Sequence, residues 1–158
     1  MATINELLGS TAQAITCTLT SLTNTSLQQS AAVDNTANLF MDVKVAVRVK
    51  TNAAGTSATG AVNVFAYGTA DTTTPVYSGG ASGSNASYTA NKDNLIYLGS
   101  ISAVANSTTY DGIFNLARAF GFGGIPAKWG IVVENLSGAT LDATVGSAWY
   151  QGINATVA

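Results

Sequence analysis

From residue 40 to residue 50 the chain reads FMDVKVAVRVK. Met41, Val43, Val45, Val47 and Val49 fall on one side of an extended backbone, and Asp42, Lys44, Ala46, Arg48 and Lys50 fall on the other. A period of two puts successive side chains on opposite faces of a β-strand. This stretch therefore buries its valines only by lying in a sheet with one apolar and one solvated face. The five-residue row from Met41 to Val49 is read as a wall of the core.

The same period runs through most of the chain. Residues 13–20 place Ile15, Cys17 and Leu19 on one side, and AVNVFAYG (61–68) sets Val62, Val64 and Ala66 against Asn63, Phe65 and Tyr67. Strands are also expected at 94–102, 108–115, 128–135 (Trp129, Ile131 and Val133 inward) and 142–157, with Val145, Ser147, Trp149, Gln151 and Ile153 alternating with smaller residues. Trp149, like Trp129, is assigned to the core on that pattern. A short edge strand is expected at 75–77, because proline is tolerated on edges. Turns rich in Gly, Ser, Asn and Thr separate these segments, and SGGASGSNAS (78–87) reads as a flexible surface loop. Residues 116–120 fit one turn of helix stopped by Gly121. The expectation is an all-β, single-domain antiparallel sandwich of about eight strands, jelly-roll-like, over residues 14–158. Residues 1–13 precede it as a short N-terminal arm, in which residues 4–8 form either one helical turn or an extended segment.

A chain of 158 residues buries about 68–70% of its unfolded surface as one domain, with no need of disulfides. The longest apolar run falls short of a membrane span, and MATINELLGSTAQ lacks the basic start and apolar run of a signal peptide. Charge is the unusual quantity. Asp, Glu, Lys and Arg make up 9% of the residues, against about 25% in ordinary soluble domains. Polar, weakly charged surfaces repel one another little, and interface centres are depleted in charge, so much of this surface is expected to be covered by other protein.

A rigid extracellular module would share this composition. Against that background, three of the six cations stand on one strand face: Lys44, Arg48 and Lys50. The row reads first as a solvated face, and second as a contact for an acidic patch on a partner protein. Nucleic acid is disfavoured, because the net charge is −2 and the row has no set of stacking aromatics around it.

Reactive groups are sparse. With no histidine in the chain, the commonest general base and the usual triads are missing, and Cys17 alone makes neither a disulfide nor a zinc site. Cys17 reads as a small buried hydrophobe. NKDN (91–94) lacks the ligand spacing of a calcium loop and reads as an Asx turn. GFGG (121–124) fits no phosphate-binding fingerprint and reads as a tight turn. The five N-x-S/T sequons, at Asn24, Asn85, Asn106, Asn135 and Asn154, follow from composition. No catalytic residue, cofactor or metal is expected, and the chain is not expected to be an enzyme.

Two stretches carry a family resemblance. AAVDNTANLFMDVKVAVRVKT (31–51) and AFGFGGIPAKWGIVVENLSGATLDAT (119–144) resemble segments of small structural proteins from the virions of tailed bacteriophages. The glycine turn GFGG is two residues longer here than in that pattern. The resemblance implies a β-sandwich head decoration, or cement, protein on the outer capsid surface. It would be made in the bacterial host cytoplasm and would clamp neighbouring major capsid subunits as a dimer or trimer of itself. On that reading Ile4, Leu7 and Leu8 of the arm lie on a neighbouring subunit, and Lys44, Arg48 and Lys50 contact the shell. A tail, neck or fibre component that binds a host glycan is the alternative, with Trp149, Tyr150 or Tyr88 as stacking platforms.

Overall fold

Val43, Val45, Val47 and Val49 are all buried to within 1% of completely, so the alternating stretch does face a core. In the computed structural model, which describes residues 4–9, 11–121 and 124–157, that core lies between two antiparallel sheets. The strands in chain order are β1 (Ile4–Leu8), β2 (Gln13–Ile15), β3 (Leu27–Gln29), β4 (Val33–Asp34), β5 (Asp42–Thr51) and β6 (Ala61–Thr69). They continue with β7 (Ala86–Ser87), β8 (Ile96–Ser102), β9 (Thr109–Asn115), β10 (Lys128–Leu136) and β11 (Leu141–Val157), and α1 is a single turn at Ala117–Phe120.

The first sheet runs β1-β11-β5-β9, with β2 beside β1 on the same edge of β11. The second runs β7-β3-β10-β6-β8, with β4 also on β10. The principal strands in chain order are β2, β3, β5, β6, β8, β9, β10 and β11. In that numbering one sheet reads first, eighth, third, sixth, and the other reads second, seventh, fourth, fifth. This interleaving is the jelly-roll order; the sequence pattern points to a jelly-roll-like sandwich but not to its strand order.

Between the sheets lie the β5 valines, Val62, Val64 and Ala66 of β6, and Trp129, Ile131 and Val133 of β10. Each fully buried valine contributes about 1.5–3 kcal/mol relative to exposure. Trp129 packs edge-to-face on Tyr150, with ring centroids 5.3 Å apart and planes at 88°.

A second apolar cluster explains why β10 is buried along almost its whole length. Phe65, Tyr67 and Val132 point away from the central core, yet Ala81, Tyr88 and Leu95 cover them. The covering segment, residues 70–95, is stapled down by polar contacts. Asn85 Oδ1 accepts from the backbone N–H of Thr18 (2.9 Å) and from Gln28 Nε2 (2.8 Å), and Gln29 Nε2 donates to Ser82 Oγ (2.6 Å). Tyr67 donates its hydroxyl to the Ser30 carbonyl at 2.7 Å. Glu134, only 3% exposed, pairs with Lys92 and accepts from Asn63 Nδ2 at 2.9 Å.

Several expectations are corrected. The 78–87 stretch is part of this hydrogen-bonded cover and not a free loop, and residues 75–77 form no strand. The first predicted strand ends at Ile15, although Ile15 and Leu19 still reach the core and Cys17 packs against it. Met41 is 61% exposed, because β5 starts only at Asp42. The preceding loop is shaped by Asn35, whose Oδ1 accepts from Phe40 N–H (2.9 Å), while Leu39 takes a left-handed φ of 51°. Phe40 turns inward instead and meets Tyr150 edge-on at 6.3 Å.

At the N-terminus, residues 4–8 are extended and not helical. Their backbone pairs with the end of β11, from Ile4 opposite Val157 to Leu8 opposite Ile153. Residues 1–3 and 10 of the expected arm lie outside the described residues, as do the side chains of Ile4, Leu7 and Leu8. Phe122 and Gly123 of the GFGG turn also lie outside them.

Candidate functional site

The outward row of β5 is the solvated side of the first sheet, and register decides what surrounds it. Lys44 stands between Asn115 of β9 and Gln151 of β11, Ala46 between Ile113 and Trp149, and Arg48 between Asp111 and Ser147. The small Ala46 thus sits at the centre of an apolar stripe, Ile113–Ala46–Trp149, that crosses three strands and ends at Ala14 of β2. Ile113 is 72% exposed.

Trp149 belongs to this outer stripe and not to the core, which corrects the sequence assignment. Both tryptophans alternate with small residues, but adjacent positions on one strand face opposite ways. Tyr150 takes the inward place against Trp129, so its neighbour Trp149 must face out. Ala148 and Gly152 are the small inward residues on either side of it.

The charges beside the stripe are already matched. Arg48 grips Asp111 with two bonds, Nε to Oδ1 at 2.7 Å and Nη2 to Oδ2 at 2.9 Å. The same guanidinium lies over the Trp149 ring, 5.8 Å from its centroid, within cation–π range. The hydrogen bonds from Arg48 hold the Asp111 carboxyl below its usual range. Lys50 Nζ sits 3.0 Å from Asp142 Oδ2. Asp142 occupies the register shift between Leu141 and Gly146, where its Oδ1 accepts from Thr144 Oγ1 (2.7 Å) and Thr144 N–H (2.8 Å). Thr144 first, and then Lys50, hold that carboxyl well below the ordinary aspartate value. Lys44 makes no ion pair or hydrogen bond among the described residues.

The structure therefore brings Lys44, Arg48 and Lys50 onto one face, as expected, but leaves only Lys44 without a carboxylate. It adds Trp149 and Ile113, which sequence reasoning missed as surface residues. Ile4, Leu7 and Leu8 belong to the strand beyond β11, on the opposite edge of the sheet from β9.

The other glycan-stacking candidates are used internally. Tyr88 is buried and donates its hydroxyl to the Gly79 carbonyl, and Tyr150 packs against Trp129. Among residues weighed for chemistry, the Cys17 thiol is pushed up to about 12 by burial, far from the thiolate form that reacts. NKDN forms the expected turn, Asn91 Oδ1 accepting from Asp93 N–H at 2.9 Å. Asn135 of the fourth sequon is fully buried, donating to the carbonyls of Leu22 and Ala139 at 2.8 Å each. Among the described residues, no group of three His, Cys, Asp or Glu side chains comes together, and no helix is long and apolar enough to cross a membrane.

The chain matches no known protein-family model and no curated protein sequence.

Proposed function

We propose that this protein is a non-enzymatic decoration protein that binds the outside of an assembled protein shell through the outer face of its first sheet. A bacteriophage head is the setting that the resemblance of residues 31–51 and 119–144 implies, with the major capsid protein as partner and copies of this chain as neighbours. The observation that carries the reading is the stripe Ile113–Ala46–Trp149, flanked by an ion pair satisfied within the face. Interface centres are poor in unpaired charge and rich in Trp and Arg, and this face has that composition. Arg48 holds the Trp149 ring in place before binding, which lowers the ordering cost of association. Many copies on a repeating lattice would add avidity to a modest single contact.

The test is co-sedimentation of the purified protein with heads lacking it, followed by image reconstruction of the decorated shell. Density on the shell with the β5/β9/β11 face inward supports the reading. Density on the tail, or none, sinks it.

One observation favours a second reading, a glycan-binding component of tail or fibre. Trp149 has polar neighbours on its own strand face, Ser147 and Gln151, of the kind that bind sugar hydroxyls around a stacking ring. Gln151 is partly committed, donating to the Gly9 carbonyl at 2.8 Å. Glycan-array binding that is lost in Trp149→Ala, without shell binding, would select this reading over the first.

A further inference from the structure

The two sheets end on the same side of the sandwich in β8 and β9, and neither strand has a partner on its outer edge among the described residues. Where the strands pass closest, glycine makes the approach possible: a Cβ on Gly112 would lie 2.6 Å from Ile101, and one on Gly99 would lie 2.7 Å from Phe114. Further along, between the first residues of β8 and the last of β9, a cleft of about 590 Å³ opens beside α1. Ile96, Leu98 and Phe114 line it, and Tyr97 and Ile113 stand exposed at its rims.

The cleft also holds a cation with no carboxylate partner among the described residues. Arg48, Lys50 and Lys92 pair with carboxylates, and Lys128 Nζ lies 3.4 Å from the Thr72 carbonyl. Arg118 of α1 lines the cleft and makes no ion pair or hydrogen bond to a described residue. In a chain with six cations, an exposed guanidinium beside an apolar cleft is a specific feature. Its planar fork suits a carboxylate held by two parallel bonds.

We propose that this cleft binds an extended peptide segment of a partner protein, added as a strand to the open edge of β8 or β9. Alternate apolar side chains would enter between Tyr97 and Ile113, and an Asp, Glu or C-terminal carboxylate would be held by Arg118. Edge strands with free backbone groups template such pairing. A small apolar molecule would use the cleft walls but leave those backbone groups unpaired, so a peptide is the better match. The Arg118 charge selects an acidic segment over a basic one. The inference does not rest on shell binding, which uses the sheet face around Trp149 and shares Ile113 with the rim of the cleft.

The experiment pans a random decapeptide library against the whole chain and measures resynthesised binders in solution. Binders should carry a carboxylate next to alternating apolar residues and slow amide exchange in β8 or β9. Arg118→Gln should weaken them about tenfold, the loss of one charge-assisted contact. Tyr97→Ala, at a position 55% exposed although edge-on to Phe65, should weaken them as well once a thermal melt shows the variant folded, and Lys128→Gln should not. The proposal is overturned if no binder survives resynthesis, if binders treat Arg118→Gln as wild type, or if exchange at β8 and β9 does not change. Concentration-dependent self-association abolished by Arg118→Gln would also overturn it, by giving the cleft to a second copy of the chain.

Discussion

Arg48 and Asp111 face each other across β5 and β9 in register, joined by two parallel hydrogen bonds of 2.7 and 2.9 Å. The pair converts what looks like a cationic row into a nearly neutral face, with Arg48 committed at once to a carboxylate and to the Trp149 ring. Attraction of an acidic partner, if this face uses it, falls to Lys44.

That division gives the first prediction. Lys44→Gln should remove most of the salt dependence of shell binding, and Arg48→Gln should weaken binding both by misplacing Trp149 and by leaving Asp111 as an unpaired anion on the face. Trp149→Ala should abolish binding while leaving the melting temperature close to wild type. Co-sedimentation across a sodium chloride series, together with thermal melts, reads both.

Trp129 should behave in the opposite way. It is fully buried, and its Nε1–H is the one buried side-chain polar atom without a partner among the described residues. Trp129→Ala should cost about 3–5 kcal/mol through the cavity it leaves. Trp129→Phe should cost clearly less, since no hydrogen bond of the indole is lost. Chemical denaturation of the three proteins checks the order.

Acid should reveal the carboxylates of the outer face. Asp111 and Asp142 both titrate below the ordinary aspartate value when folded, so each contributes stability above about pH 3.9, lost as pH falls through the lowered values. The melting temperature should stay level from pH 8 to pH 5 as far as these groups govern it, and drop below about pH 4. Asp142→Asn should lower the plateau and flatten the acid limb, its curve meeting that of the wild type at the lowest pH.

Lys92 fixes the cover segment to the second sheet through the buried Glu134. Lys92→Met should leave Glu134 with Asn63 alone and loosen residues 78–87. Limited proteolysis should then cut within that glycine- and serine-rich stretch several-fold faster. Unchanged cleavage would mean that Asn85, Gln28 and Gln29 suffice to hold it.

The sandwich was readable because its long strands obey one simple period. β5, β6 and β10 place Val, Ile and Trp at alternate positions with almost no exceptions. Where side-chain hydrogen bonds replace alternation, the signal vanished. Leu27–Gln29 is a strand whose two glutamines are buried because Asn85 and Ser82, more than fifty residues away, satisfy them. The cover over Phe65 and Tyr67 was equally hidden, since a glycine-rich segment looks the same loose or stapled. The outer face was half legible. Its cations were visible as a row, but their neutralisation depends on Asp111 and Asp142 arriving from other strands. The facing of Trp149 hinged on which of two adjacent aromatics, Trp149 or Tyr150, turns inward.

The central strand of each sheet lies late in the chain. β10 lies between β3 and β6, and β11 lies between β1/β2 and β5. During synthesis, residues 4–115 can form the β5–β9 and β6–β8 pairs, but neither sheet can close until residues 128–157 have left the ribosome. The N-terminal strands must wait, unpaired, for almost the whole chain. Completion is therefore a late, all-or-nothing event dominated by contacts distant in sequence, which folds slowly, and loss of β11 would cost both the first sheet and the face it carries.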